Sequence, residues 1–216
     1  MGAKPIIIAD DHPLFRAALR QAVAGAAPDR EIIEAASLGA ARAAIEETPP
    51  GLLCLDLHME DSDGFAGLIA LRQDHPEVPV AIVSGSEDRS VAQRAITFGA
   101  MAFIPKALET EEIRGAVSAV LEGDRWVPAG AASPDAEAAE LADRLSSLTP
   151  AQLKVLLFVR QGLLNKQIAH EMAISEATVK AHMTAIMRKL NVQTRTQAVV
   201  AASALSAETE PTRDDS

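Results

Sequence analysis

The chain of 216 residues has one cysteine, one tryptophan and no tyrosine, and aromatics make up only 3% of it. A lone cysteine, Cys54, cannot build a disulfide framework, so a reducing compartment is expected. With aromatics scarce and 48% of residues hydrophobic, the core must be made of Ala, Leu, Val and Ile. Uncharged apolar runs stop far short of the roughly 20 residues that cross a bilayer. The opening "IIIADD" turns acidic too soon for a secretory signal. A soluble, cytoplasmic protein with no membrane partner is the expectation. Motifs of common chemistries are missing as well: there is no Gly-rich phosphate loop, no His-Glu-x-x-His and no Gly-x-Ser-x-Gly. The five histidines are scattered, which argues against a zinc site.

The formal net charge of −10 argues at first against nucleic acid, but the charge is unevenly spread. Residues 1–124 hold 10 basic and 20 acidic side chains, whereas residues 148–207 hold 7 basic and 2 acidic. An acidic domain joined to a basic one points to a nucleic-acid partner for the basic half.

The first half alternates strand-sized apolar runs, "PIIIAD", "EIIEA", "LLCLD", "VAIVS" and "AFI", with stretches of helical spacing. Phe15, Leu19, Ala22 and Val23 form one such face, and Ile113, Val117, Val120 and Leu121 another. Five strands alternating with helices predict a parallel α/β sheet covered on both faces. Gly123 closes that pattern. Residues 125–147 read as a linker with helical character after Pro134. A helical domain then starts at Thr149, whose Thr-x-x-Gln capping box with Gln152 and following Pro150 mark a helix start, and Gly162 marks its end. Further helices are expected at about 165–172, 176–190 and 195–206. The acidic tail, 208–216, reads as disordered.

Ligands of open parallel sheets bind beyond the carboxyl ends of the strands. Here those ends carry Asp10, Asp11, Asp56, Ser84 and, just past the fifth strand, Lys106. Packing alone does not call for three carboxylates, a hydroxyl and an ammonium on one rim. Clustered carboxylates repel unless a cation sits among them, and Mg²⁺ suits such an all-oxygen set. With a phosphoryl group added, Asp56 attacks phosphorus, Asp11 and Asp56 hold Mg²⁺, and Lys106 and Ser84 bind the product oxygens. Plainer readings stand beside this one: Asp11 as a helix cap before Pro13, Ser84 as loop chemistry, and Lys106 as a solvated charge.

Through "IIIADDHPLFR", "LLCLDLHM", "AIVSGSED" and "GAMAFIPKAL", residues 4–122 resemble the receiver domain of a two-component response regulator. The resemblance implies a flavodoxin-like five-stranded receiver over residues 1–124, phosphorylated on Asp56 by a sensor histidine kinase. It makes Asp10 and Asp11 the acidic pair, Ser84 the switch hydroxyl, Phe103 the switch aromatic and Lys106 the phosphate-binding lysine. The backbone carbonyl of His58 would complete the metal site. His58 itself and "MEDSDG" depart from the usual loop, with consequences for phosphoryl lifetime. A haloacid-dehalogenase-type enzyme would need a second Asp where His58 stands, so a phosphoryl acceptor with at most slow autodephosphorylation is expected rather than an enzyme.

In "NKQIAHEMAISEATVKAHMTAIMRKL", two helical patterns flank a short turn. Val179, Met183, Ile186 and Leu190 form an apolar stripe, with Ser175 as cap. Ala177, Lys180, Ala181, Thr184 and Arg188 share another, basic face. That is the pattern of a helix-turn-helix, and also of a generic small bundle with a solvated face. Residues 148–207 resemble the four-helix DNA-binding domain of LuxR-type regulators, through "LTPAQLKVL", "QGLLNKQIA", "ISEATVKAHMTAIMRKLNV" and "RTQAVVAA". By that likeness Lys180, Ala181 and Thr184 approach base edges of double-stranded DNA. Arg188 lies on the same face, and Asn165, Lys166, Thr178 and Lys189 are candidates for backbone contacts. The last helix resembles the family's dimerisation helix. The domain order marks the NarL/FixJ group, with a homodimer expected on phosphorylation or on DNA. A phosphorylation-independent regulator with a silent receiver, or a phosphorelay component, are the alternatives.

Overall fold

The computed structural model describes residues 3–130 and 136–207, which form two compact units. The first is a five-stranded sheet of β1 (Ile6–Ala9), β2 (Ile32–Ala35), β3 (Leu52–Asp56), β4 (Val80–Ser84) and β5 (Ala102–Pro105). All pairings are parallel and the order is β2-β1-β3-β4-β5. Between the strands run α1 (Pro13–Ala26), α2 (Leu38–Glu47), α3 (Phe65–Asp74) and α4 (Arg89–Thr97), with α5 (Thr110–Glu122) after β5. This is the parallel α/β architecture expected from the alternation of apolar runs and helical spacing, in the flavodoxin-like order that the receiver resemblance implies.

β1, β3, β4 and β5 are buried along their whole length, which is why they read as continuous apolar runs rather than as alternating ones. Side chains still point to opposite faces with period two. Ile6, Ile8, Leu52, Cys54, Ala81, Val83, Ala102 and Ile104 pack with Leu19 and Val23 of α1 and Val117 and Val120 of α5. Fully burying each of the larger aliphatic side chains contributes roughly 1.5–3 kcal/mol. Cys54 lies in this cluster, and burial pushes its thiol pKa up to about 12. Following the same parity to the strand ends brings Asp10, Asp56 and Lys106 out on the α1–α5 side of the sheet. The chain reverses its winding direction between β1 and β3, so the two aspartate-bearing ends are neighbours at the switch point.

The second unit holds α6 (Ala136–Ser146), α7 (Pro150–Arg160), α8 (Asn165–Glu171), α9 (Glu176–Leu190) and α10 (Arg195–Ser203). The Thr149/Gln152 capping box and Pro150 at the first turn start α7 as the sequence suggests. α9 buries Val179, Met183, Ile186 and Leu190, the stripe read from spacing. Its Ser175 side chain accepts the Thr178 N–H at 3.1 Å. Helices α4, α5, α7, α8 and α9 end alike, on a residue in the left-handed region followed by paired return hydrogen bonds. Gly99, Gly123 and Gly162 take that place at three ends, Asn191 at a fourth, and Ala173, with φ 53°, between α8 and α9.

Within the expected linker, 125–147, the described residues 125–130 and 136–147 carry regular structure. Trp126 pairs with the β5 edge: its N–H donates to Met101 O at 3.0 Å and its carbonyl accepts from Phe103 N at 3.1 Å. Further on, α6 buries Ala142 and Leu145 and packs against α9. The packing partner that orders α6 lies some forty residues downstream, beyond the reach of local sequence patterns. The tail expected to be disordered, 208–216, lies outside the described residues. No helix among the described residues is long and apolar enough to cross a membrane.

Candidate functional site

At the carboxyl end of the sheet, Lys106 Nζ lies 2.6 Å from Asp10 Oδ2 and 2.8 Å from Asp56 Oδ2. Both aspartates are about 1% exposed. Two buried carboxylates on adjacent strands are therefore bridged by one ammonium delivered from β5. The lysine also sits over the ring of Phe15, 4.5 Å from its centroid, so α1 helps to fix its position. Contacts spanning 96 and 50 residues of sequence exist only because the parity of three strands agrees.

The remaining carboxylate lone pairs are largely committed. Asp10 Oδ1 accepts the His12 N–H at 2.7 Å, and Asp56 Oδ1 accepts the His58 N–H at 3.1 Å. Asp11 Oδ2 accepts the Glu60 N–H at 3.2 Å, which ties the loop after Asp56 to the end of β1. Asp61, one residue on, accepts from Leu38 N at 2.9 Å and Gly39 N at 2.8 Å, anchoring that loop to the start of α2. Asp11 is consequently not the cap of α1. That position belongs to His12, whose side chain makes no capping bond.

Asp11 Oδ1 is buried and accepts no hydrogen bond, although His12 Nδ1 stands 2.6 Å away without hydrogen-bond alignment. One ligand atom each from Asp10, Asp11, His12 and Asp56 lies within 4.8 Å of all the others. A buried carboxylate oxygen that accepts no hydrogen bond, inside an anionic cluster, fits a divalent cation. The His58 side chain is exposed, and it lines, with Phe15, Gly85 and Lys106, an open depression of about 380 Å³ above Asp56.

Ser84 is fully buried at the end of β4, one residue beyond Val83, which pairs with Asp56. Its hydroxyl accepts the Ser86 N–H at 3.2 Å. Phe103 is buried on β5 and borders a cavity of about 300 Å³ shared with Ala92 of α4 and with Pro128, so its ring has space beside it. All the residues read from the sequence for this rim are thus on one edge of one sheet. The contribution of His12 was missed. Its signal was its place beside the acidic pair, which the helix-start reading of "HPLF" absorbed.

In the helical unit Lys180, Ala181, Thr184 and Arg188 are exposed on α9, opposite the buried stripe. The Thr184 hydroxyl donates to Lys180 O at 3.1 Å. Lys166 and Thr178 are also exposed, and Thr178 Oγ1 sits 2.8 Å from the capping Ser175 hydroxyl. Two weaker candidates are engaged within the fold. Lys189 Nζ donates to Ser147 O at 2.6 Å, fastening α9 to the segment between α6 and α7. Asn165 Oδ1 accepts from Arg195 Nη1 at 3.0 Å, while Arg195 Nη2 donates to Leu163 O at 2.5 Å. A side chain's tertiary partner is not written in helical spacing, so neither engagement is visible in the sequence.

Comparison with known proteins bears on both units. Residues 6–118 match the family model for the response regulator receiver domain, and residues 146–202 that for the bacterial regulatory proteins of the luxR family. The glycerol metabolism activator of Pseudomonas putida is 39% identical over 207 residues, covering 91% of this chain and 94% of that protein. The nitrate/nitrite response regulator protein NarL of Escherichia coli K12 is 30% identical over 201 residues, covering 90% and 93%. A solved structure of RcsB from Salmonella enterica serovar Typhimurium, bound to promoter DNA with a phosphomimetic, aligns with a TM-score of 0.54 at 19% identity. It covers 95% of this chain and 100% of that one, a likeness of fold.

Proposed function

The chain belongs to the NarL/FixJ-type response regulators, which join a receiver domain to a LuxR-type DNA-binding domain, and from that premise we propose that Asp56 is its phosphoryl switch. The observation that carries this reading is the buried Asp10–Lys106–Asp56 bridge at 2.6 and 2.8 Å. A sensor histidine kinase presents a phosphohistidine at the open depression. An Asp56 carboxylate oxygen attacks phosphorus, the new P–O bond forms as the P–N bond breaks, and the imidazole leaves with the bonding pair. Lys106, released from the bare carboxylate, follows the charge onto the transferred phosphoryl oxygens. Asp10, Asp11 and Asp56, with the backbone carbonyl of His58, would hold Mg²⁺, which neutralises charge on those oxygens when bound.

Phosphorylation adds charge and acceptors beside Ser84. Its hydroxyl leaves Ser86 N for the phosphoryl group, and Phe103 moves within the space beside it. The surface around β4 and β5 changes, and with it dimerisation or domain contacts in the cytoplasm where the target DNA lies. The exposed α9 face then enters a major groove, with Lys180, Ala181 and Thr184 toward base edges. In this reading the receiver is an acceptor that returns its phosphoryl group slowly to water, not a turnover enzyme.

The test is incubation of the full chain with Mg²⁺ and acetyl phosphate, followed by phosphate-affinity electrophoresis and light scattering. Wild type should gain one phosphoryl group and change its association state, and Asp56→Asn should do neither. An unmodified wild type under conditions that phosphorylate a control receiver would leave a silent receiver instead.

A further inference from the structure

His12 stands at the acidic pocket, yet it has no part in the reading above. Its imidazole Nδ1 lies 2.6 Å from Asp11 Oδ1, 3.5 Å from Asp10 Oδ1 and 4.0 Å from Asp56 Oδ2. The helix cannot release it: Pro13 occupies the first turn, and the His12 N–H is held by Asp10 Oδ1 at 2.7 Å. The side chain is 66% exposed and borders the open depression above Asp56. What it faces is the buried Asp11 oxygen that accepts no hydrogen bond.

Resting on the reading of this pocket as a divalent-cation site, we propose that His12 is a ligand of that cation, so that the site binds a nitrogen-accepting ion such as Mn²⁺ in preference to Mg²⁺. Octahedral ligands about 2.1 Å from an ion stand about 3 Å apart when adjacent and about 4.2 Å apart when opposite. Nδ1 stands 3.5 Å from Asp10 and 4.0 Å from Asp56, inside that range, and 2.6 Å from Asp11, a pair that opens slightly when both bind one ion. An all-oxygen set holds Mg²⁺ well. Replacing a water by imidazole favours first-row transition ions, whose affinity for nitrogen exceeds that of Mg²⁺. His12 is thus a specificity residue for the ion, while the three carboxylates supply the charge.

The experiment is pulsed electron paramagnetic resonance of Mn²⁺ bound to the full chain, with Mn²⁺ and Mg²⁺ affinities measured by titration and competition. Wild type should show ¹⁴N coupling to the ion. His12→Ala should lose it, and His58→Ala, whose side chain also borders the depression, should keep it. Mn²⁺ affinity should fall roughly tenfold in His12→Ala, with Mg²⁺ affinity changing much less. Mn²⁺ bound without ¹⁴N coupling, and equally well by His12→Ala, would overturn the role of His12 and leave the cation site standing. No Mn²⁺ binding in wild type, with none lost in Asp11→Asn, would overturn the cation site itself and this inference with it. Circular dichroism of each variant confirms that the fold is retained.

Discussion

The rim of the sheet and the outer face of α9 solve opposite problems. At the rim, charge is taken out of water: Asp10 and Asp56 are about 1% exposed and depend on Lys106, which comes from the end of the edge strand β5. On α9, Lys180, Thr184 and Arg188 are left in water, and the helix is fixed from behind by its buried stripe and at its ends by Ser175 and Asn191. The first site is made of long-range contacts and is destroyed by losing one partner. The second is made of local structure and tolerates changes on its face, because among the described residues the hydrogen bond on that face lies within the helix itself. The rim keeps its carboxylates dry and α9 keeps its charges wet.

The comparison can be broken most forcefully at Lys106. Lys106→Met leaves two buried like charges without a counter-ion, and without divalent ions the receiver should lose about 3 kcal/mol of stability. Urea unfolding followed on each unit should show the receiver midpoint falling and the helical midpoint unchanged. Two lysines of α9 sharpen the contrast on the recognition side. Lys180→Ala should weaken binding to the preferred duplex by about 1–3 kcal/mol and relax its sequence preference. Lys189→Ala, already tied to Ser147 O, should leave that preference alone and cost stability of about 1 kcal/mol. Fluorescence anisotropy across a set of duplex sequences separates the two. The smallest effect is expected at Ala173, held at φ 53° between α8 and α9. Ala173→Gly should raise the melting point of the helical unit by an amount corresponding to about 0.5–1 kcal/mol, with DNA contacts untouched.

Those residues also mark what was legible in advance. Strand-sized apolar runs name the sheet because strands buried on both faces have no other way to be written, and strand parity then places Asp10, Asp56 and Lys106 on one side. The α9 stripe and its Ser175 cap are local, so spacing sufficed. Gly99, Gly123 and Gly162 take the left-handed place at their helix ends, and Gly123 and Gly162 were read as stops. The alanine doing the same work at residue 173 carries no such mark. Trp126 on the β5 edge, α6 against α9, the Arg195–Asn165 pair and the approach of His12 to Asp11 all depend on partners distant in sequence or on side-chain direction. None of these is encoded in spacing.

Cys54 sits two residues before Asp56 on β3, sealed in the α1–α5 cluster with its thiol pKa raised to about 12. As the chain's single thiol, it is a clock set into the middle strand. The raised pKa favours the folded state fully below the ordinary thiol range, an advantage lost as pH climbs from about 9 toward 12. Near pH 8 a thiol-specific reagent can reach it only when the sheet opens, so the labelling rate counts openings of β3 itself. If that rate slows when Asp56 is occupied by beryllofluoride, the bound phosphoryl mimic stiffens the strand that carries it. An unchanged rate would mean that the signal leaves through the loops and spares the sheet.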